Sequence, residues 1–173
     1  MTEEIVLNPA RAVGLRRAFD RSFAEALQSR TEGVEGIVAC RVGGDRFAVR
    51  LRDIAGVIRT ANLVPVPSKQ RALLGLAGIR GALVPIFSLA DLLGYASHEE
   101  VWWILLCEQP ARVGLAVGEF EGCLQVPETA FRVTDSPTNL GNRRELAVVG
   151  SCAYTVISVS NLVKSIRNLE EGH

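Results

Sequence analysis

The spacing of hydrophobic residues changes twice along this chain, and each change marks a different kind of element. Between Asn8 and about Arg30, Leu15, Phe19, Phe23 and Leu27 recur every four residues among Arg16, Arg17, Asp20, Arg21 and Glu25, the period of an amphipathic helix. Asn8 is a favoured N-cap, Pro9 suits the first helical position, and the pattern stops near Gly33. After Gly36 the period becomes two. Val38, Cys40 and Val42 share one side, and Phe47, Val49 and Leu51 repeat the pattern, with Arg46, Ala48 and Arg50 expected to face solvent. Gly43-Gly44 between the two runs predicts a tight hairpin turn. A one-turn bend at residues 52–55 leads to a strand at 56–59, which Pro65 and Pro67 bring to an end, and residues 71–74 suit a helical turn.

The segment from Gly75 to Gly94 is the most informative. It is apolar except for Arg80, set between Gly78 and Gly81, and it continues into a Pro-containing strand and a short helix that stops at Gly94. Further short strands are expected at residues 101–107, 112–117 (alternating at Val113, Leu115 and Val117), 122–126, and 146–151 paired with 154–158. Residues 134–144 are polar and turn-rich, a surface loop. Period-four spacing returns at the end, where Leu162, Val163, Ile166 and Leu169 give a closing helix over about 160–169 its apolar face. Many short strands separated by turn signals argue for a sandwich or barrel. Strands do not alternate with long helices, which disfavours a doubly wound sheet. The fold class is mainly β with helices at both ends.

Composition narrows the function. Nineteen Lys and Arg balance nineteen Asp and Glu, so the basic excess expected of a nucleic-acid binder or a membrane-surface protein is missing. The acidic start Met-Thr-Glu-Glu is unlike a signal peptide, and the apolar runs fall far short of the ~20 residues that span a bilayer. A cytoplasmic protein without membrane insertion is expected. The four cysteines (Cys40, Cys107, Cys123, Cys152) are scattered without a Cys-x-x-Cys pair, and buried free thiols are the expected reading. His98 and His173 have no ligand-spaced neighbours, so neither a metal nor a cofactor is expected. Gly150-Ser151-Cys152 lacks a histidine partner, and acidic residues such as Asp45, Asp53, Glu99 and Glu100 sit in turns and loops. Gly75, Gly78 and Gly81 match no phosphate-binding pattern; bends and close backbone approach explain them. The chain reads as a non-enzymatic protein. Adjacent Trp102 and Trp103 leave an OB-type or SH3-type ligand-binding barrel as the alternative, although no arginines cluster around them.

One family matches these segments in order. Val42-Gly-Gly-Asp-Arg-Phe-Ala-Val49, Ile54-Ala-Gly-Val-Ile-Arg59, Leu63-Val-Pro-Val-Pro67, Gly75-Leu-Ala-Gly-Ile-Arg-Gly81 followed by Pro85-Ile-Phe-Ser-Leu89, Val113-Gly-Leu-Ala-Val117, Val148-Val-Gly150 and Leu162-Val163 resemble the CheW-like domain over about three quarters of the chain. Four positions depart from its pattern. Gly56 replaces a common glutamate, Gly78 a common asparagine, and Ser88 and Gly118 two common aspartates.

The resemblance implies two intertwined five-stranded SH3-like barrels sharing a core over residues 34–169, after a helical extension (1–33) and before a short tail (170–173). It also implies a non-catalytic adaptor in a chemosensory array. One surface would bind the regulatory domain of the histidine kinase CheA, and the groove between subdomains would take the cytoplasmic tip of a methyl-accepting chemoreceptor. The departures point to a divergent member with its own partner set. Groove recognition of a helix needs apolar anchors and polar latches. Val57, Ile58, Val84, Phe87 and Val117 are candidate anchors or ordinary core residues. Arg80, between Gly78 and Gly81, is a candidate latch to a carboxylate or an internal hydrogen-bond donor. Leu15, Phe19, Phe23 and Leu27 pack on this domain or on a partner.

Overall fold

The computed structural model describes residues 33–59, 62–95, 103–136 and 144–171, with side chains of the closing helix described through residue 168. The segment expected to be helical, carrying Leu15, Phe19, Phe23 and Leu27, lies outside them, along with His98, Trp102, residues 137–143 and the Leu169 side chain. Along the chain run β1 (Val34–Val42), β2 (Asp45–Arg50), β3 (Gly56–Arg59), β4 (Leu63–Val64), β5 (Leu73–Ile79), β6 (Ala82–Ser88), helix α1 (Leu89–Leu93), β7 (Trp103–Cys107), β8 (Val113–Val117), β9 (Glu119–Pro127), β10 (Phe131–Thr134), β11 (Arg144–Val149), β12 (Cys152–Ile157) and helix α2 (Val159–Glu171).

The strands form two six-stranded sheets, ordered β10-β11-β12-β2-β1-β9 and β3-β7-β8-β6-β5-β4. The second sheet is therefore one contiguous insertion between β2 and β9 of the first. Each sheet has one strand more than the five expected, because Leu63–Val64 and Phe131–Thr134 pair as short edge strands. Residues 71–74 form no helical turn: Leu73 and Leu74 already belong to β5, whose ladder to β6 carries them. The β1–β2 ladder runs from Ile37↔Arg50 to Val42↔Asp45, so Gly43-Gly44 makes the two-residue turn. Tyr95 closes over that turn, its hydroxyl donating to Asp45 and its ring edge meeting Phe47.

Three apolar clusters explain the architecture. Ile37, Ala39, Ala48, Val126, Ala147, Tyr154 and Val156 fill a core belonging to the first sheet. Ala77, Ile79, Val84, Ile86, Ile104, Leu106 and Ala116 fill one belonging to the second. The opposite faces of both sheets, through Val38, Cys40, Phe47, Val49, Phe87, Leu105, Leu115 and Val117, meet in a shared core that α2 covers with Leu162, Val163 and Ile166. Both faces of the central strands are thus buried, which corrects two expectations. All five residues of β8 are buried, small Gly114 and Ala116 filling the positions between Val113, Leu115 and Val117. The side of β2 carrying Arg46, Ala48 and Arg50 faces the first sheet's own core instead of solvent, and Ala48 is fully buried.

The two arginines close the ends of that core. Arg50 binds Glu145 at 2.7 Å and Glu35 at 3.0 Å and lies over the Phe131 ring. The hydrogen bond it donates to Glu145, then the one it donates to Glu35, holds its guanidinium above the ordinary arginine range against partial burial. At the other end Arg41 binds Glu121 at 2.6 Å, which holds that carboxyl below its usual range, and Arg46 follows at 3.7 Å.

Of the cysteines, Cys40 and Cys107 are buried as expected, but Cys123 is exposed and Cys152 half-buried. β9 turns Cys123 outward, whereas Cys152 on β12 packs against the margin of the first sheet's core. Burial, helped by Glu121 and Asp53 respectively, pushes the Cys40 and Cys107 thiols from 9.0 up to about 12. A raised folded-state pKa adds stability that is complete below the unfolded value and is lost as pH rises toward the folded one. Thermal melts should therefore show stability falling steadily between about pH 9 and about pH 12. The slope should be shallower in a Cys40→Ala/Cys107→Ala double variant, and an unchanged slope would remove the thiols as its cause.

Candidate partner-binding surface

Alternation along β5 and β6 sends Ala77, Ile79, Val84 and Ile86 into the second sheet's core and their neighbours outward. Beyond the area the shared core covers, the outward face is apolar. Val64 pairs with Leu76, and Leu76 with Pro85, giving one row across β4, β5 and β6; Gly78 and Leu83 form the next row. Val64 is 62% and Leu83 74% exposed. Large apolar side chains at this exposure, grouped on one face, mark an interaction surface more often than an accident of composition.

Arg80 sits at the corner of this face. Ile79 pairs with Ala82, so Arg80-Gly81 is a two-residue hairpin turn with both φ angles positive, 50° and 77°. Such turns follow the twist of the strands, and glycine or asparagine normally occupies them. An arginine there costs about 1–2 kcal/mol of backbone strain. Its side chain reaches the edge strand β3, with Nη2 3.4 Å from the position a Gly56 Cβ would take. Among the described residues the guanidinium has no ion pair or hydrogen bond. The internal-donor reading of Arg80 is thus set aside, and a strained, exposed, unpaired cation remains, the kind of outlier that marks a functional position.

The other candidates separate. Val57 is half-buried against the shared core and Ile58 against the second sheet's core, both on β3. Val84, Phe87 and Val117 are buried to 3% exposure or less and packed in the cores, which favours the ordinary-core reading of them over the anchor reading. Gly81 belongs to the turn and Gly78 to the exposed face. Val64, Leu76, Leu83 and Pro85 were missed. The signal for them is that residues 82–87 are apolar at every position, so whichever parity faces the core, the other remains apolar. Ser88, in place of the family aspartate, caps α1: its hydroxyl accepts from the Asp91 backbone N–H at 3.1 Å. Among the described residues, no cluster of three or more His, Cys, Asp or Glu is placed to hold a metal ion, and no helix is long and apolar enough to cross a membrane.

Two sheets with private cores, a third core between them, and an apolar face cornered by an unpaired arginine define a two-lobed β module built for protein contacts. Residues 36–165 match the CheW-like domain family, and the chain belongs to it. The chemotaxis protein CheW of Thermotoga maritima is 22% identical over 109 residues, covering 62% of this chain and 72% of that protein. The crystal structure of the scaffolding protein TtCheW from Thermoanaerobacter tengcongensis superposes with a TM-score of 0.67 at 16% identity, over 74% of this chain and 91% of that one. The fold is shared where the sequence has largely diverged.

Proposed function

We propose that this chain is a non-catalytic adaptor of a cytoplasmic chemosensory array, joining chemoreceptors to the histidine kinase CheA. The observation that carries this reading is the exposed apolar face of β4–β6 with Arg80 unpaired at its corner, on a frame held rigid by the shared core. That face suits the kinase's regulatory domain, through apolar packing with a carboxylate on Arg80. The edge strand β3, with Val57 and Ile58 half-buried on its opposite faces, suits the receptor tip, an amphipathic helix. Gly56 leaves Arg80 without the glutamate common in the family, which favours a partner set particular to this chain over the general pathway.

Calorimetric titration with the kinase regulatory domain and a receptor-tip fragment from the same genome tests the reading, with an Arg80→Gly variant alongside. Glycine is at ease at positive φ, so the variant should be as stable as the wild type or slightly more so. Its binding to the kinase domain should fall about tenfold or more, the usual loss for an interface arginine. Unchanged binding would remove Arg80 from the interface, and absence of binding to either wild-type partner would refute the adaptor reading.

A further inference from the structure

Gly78 has no internal reason to be glycine. It lies mid-strand in β5, paired with Leu83, and its φ is outside the positive region. Among the described residues, a Cβ added there meets nothing within 4 Å. Neither conformation nor packing demands the residue, yet glycine inside a strand costs about 0.5–1 kcal/mol of stability. Its cross-strand neighbour Leu83 carries a second unexplained cost, an isobutyl group 74% exposed. The two costs occur at the same rung of the ladder. A glycine in a strand often marks where another molecule approaches the backbone closely.

We propose that the bare backbone at Gly78 is a socket that determines partner choice. Leu83 forms one wall, the Leu76–Pro85 rung forms the other, and Arg80 stands two residues away along β5. The occupant this geometry fits is a bulky apolar side chain, branched or aromatic, on a rigid protein surface that also offers a carboxylate to Arg80. The charge of the occupant follows from Arg80 having no partner among the described residues. The socket rests on the adaptor reading and assigns its occupant to the kinase regulatory domain. A methyl at position 78 would enter the socket without touching the described residues, so specificity and stability can be separated there.

The experiment compares wild type, Gly78→Val and Leu83→Ala by thermal melting, by sedimentation and by titration with the kinase regulatory domain and the receptor-tip fragment. Gly78→Val should melt at or above the wild-type temperature, since valine favours strands, while kinase-domain affinity falls by about tenfold or more. Leu83→Ala should lose affinity similarly, with no loss of thermal stability. A lower melting temperature for Gly78→Val would mean that the fold itself requires the glycine, which overturns the proposal. Unchanged affinity in a stable Gly78→Val protein would overturn the socket and leave the adaptor reading standing. If neither fragment binds wild type, both fall. If wild type self-associates and Gly78→Val makes it monomeric, the occupant is a second copy and the assignment to the kinase is overturned.

Discussion

Replacing Gly75 by alanine should lower the melting temperature by about 10 °C, given about 3–4 kcal/mol lost and about 2–4 °C per kcal/mol for a protein of this size. Two effects add. At φ 149° the backbone is one that a residue with a Cβ rarely adopts, worth on the order of 1–3 kcal/mol. The new methyl would also collide with the carbonyl of Val64 and crowd the Pro65 Cα. Those are main-chain atoms, which no side-chain rotation can move aside. Relief requires moving β4, and that strand supplies Val64 to the exposed apolar face. Gly122→Ala is the control, because Gly122 has a similar φ of 140° with none of the described residues within 4 Å of the added methyl. It should suffer the backbone cost alone, so equal melting shifts in the two variants would show that the contact with β4 contributes nothing.

The second large effect is expected at Leu105. This fully buried side chain lies in the shared core, on a strand flanked by β3 and β8. Truncation to alanine should cost about 3–4 kcal/mol, the sum of lost transfer energy and an unfilled cavity. Its location matters more than its size. The shared core is the apolar contact between the two sheets, so the loss should appear in both. Hydrogen exchange should show protection falling by a comparable factor in β1–β2 and in β7–β8, within one cooperative transition. Exchange that quickens only in the second sheet would mean that the lobes unfold separately, and would remove the physical basis for holding two partner faces in fixed relation.

The same residues show what could be read in advance. Local signals were legible because they depend on neighbours in sequence. The Gly43-Gly44 turn, the one-turn bend before β3, the stop of α1 at Gly94 and the buried stripe of α2 through Leu162, Val163 and Ile166 each follow from a few adjacent side chains. So do the order and spacing of the segments that resemble the CheW-like family. Arg80 also stood out, as a lone charge in an apolar run.

Which face of each strand meets which core was not legible. Period two says that Val38 and Ala39 point opposite ways, but it does not say that both directions lead into protein. Arg46 and Arg50 therefore read as solvated, although they close the ends of a core through Glu121, Glu35 and Glu145, partners that lie between 15 and 95 positions away along the chain. For the same reason Val84, Phe87 and Val117 stayed open between anchors and core residues, and Leu83 was passed over. Sequence alone determined the β-rich class, the punctuation of its turns and the family. Only the tertiary structure decided that the second sheet is inserted whole into the first, which apolar face the described residues leave exposed, and that none of them crowds a Cβ at Gly78. Those depend on contacts between residues far apart in the chain, whose energies exist only after the backbone has closed.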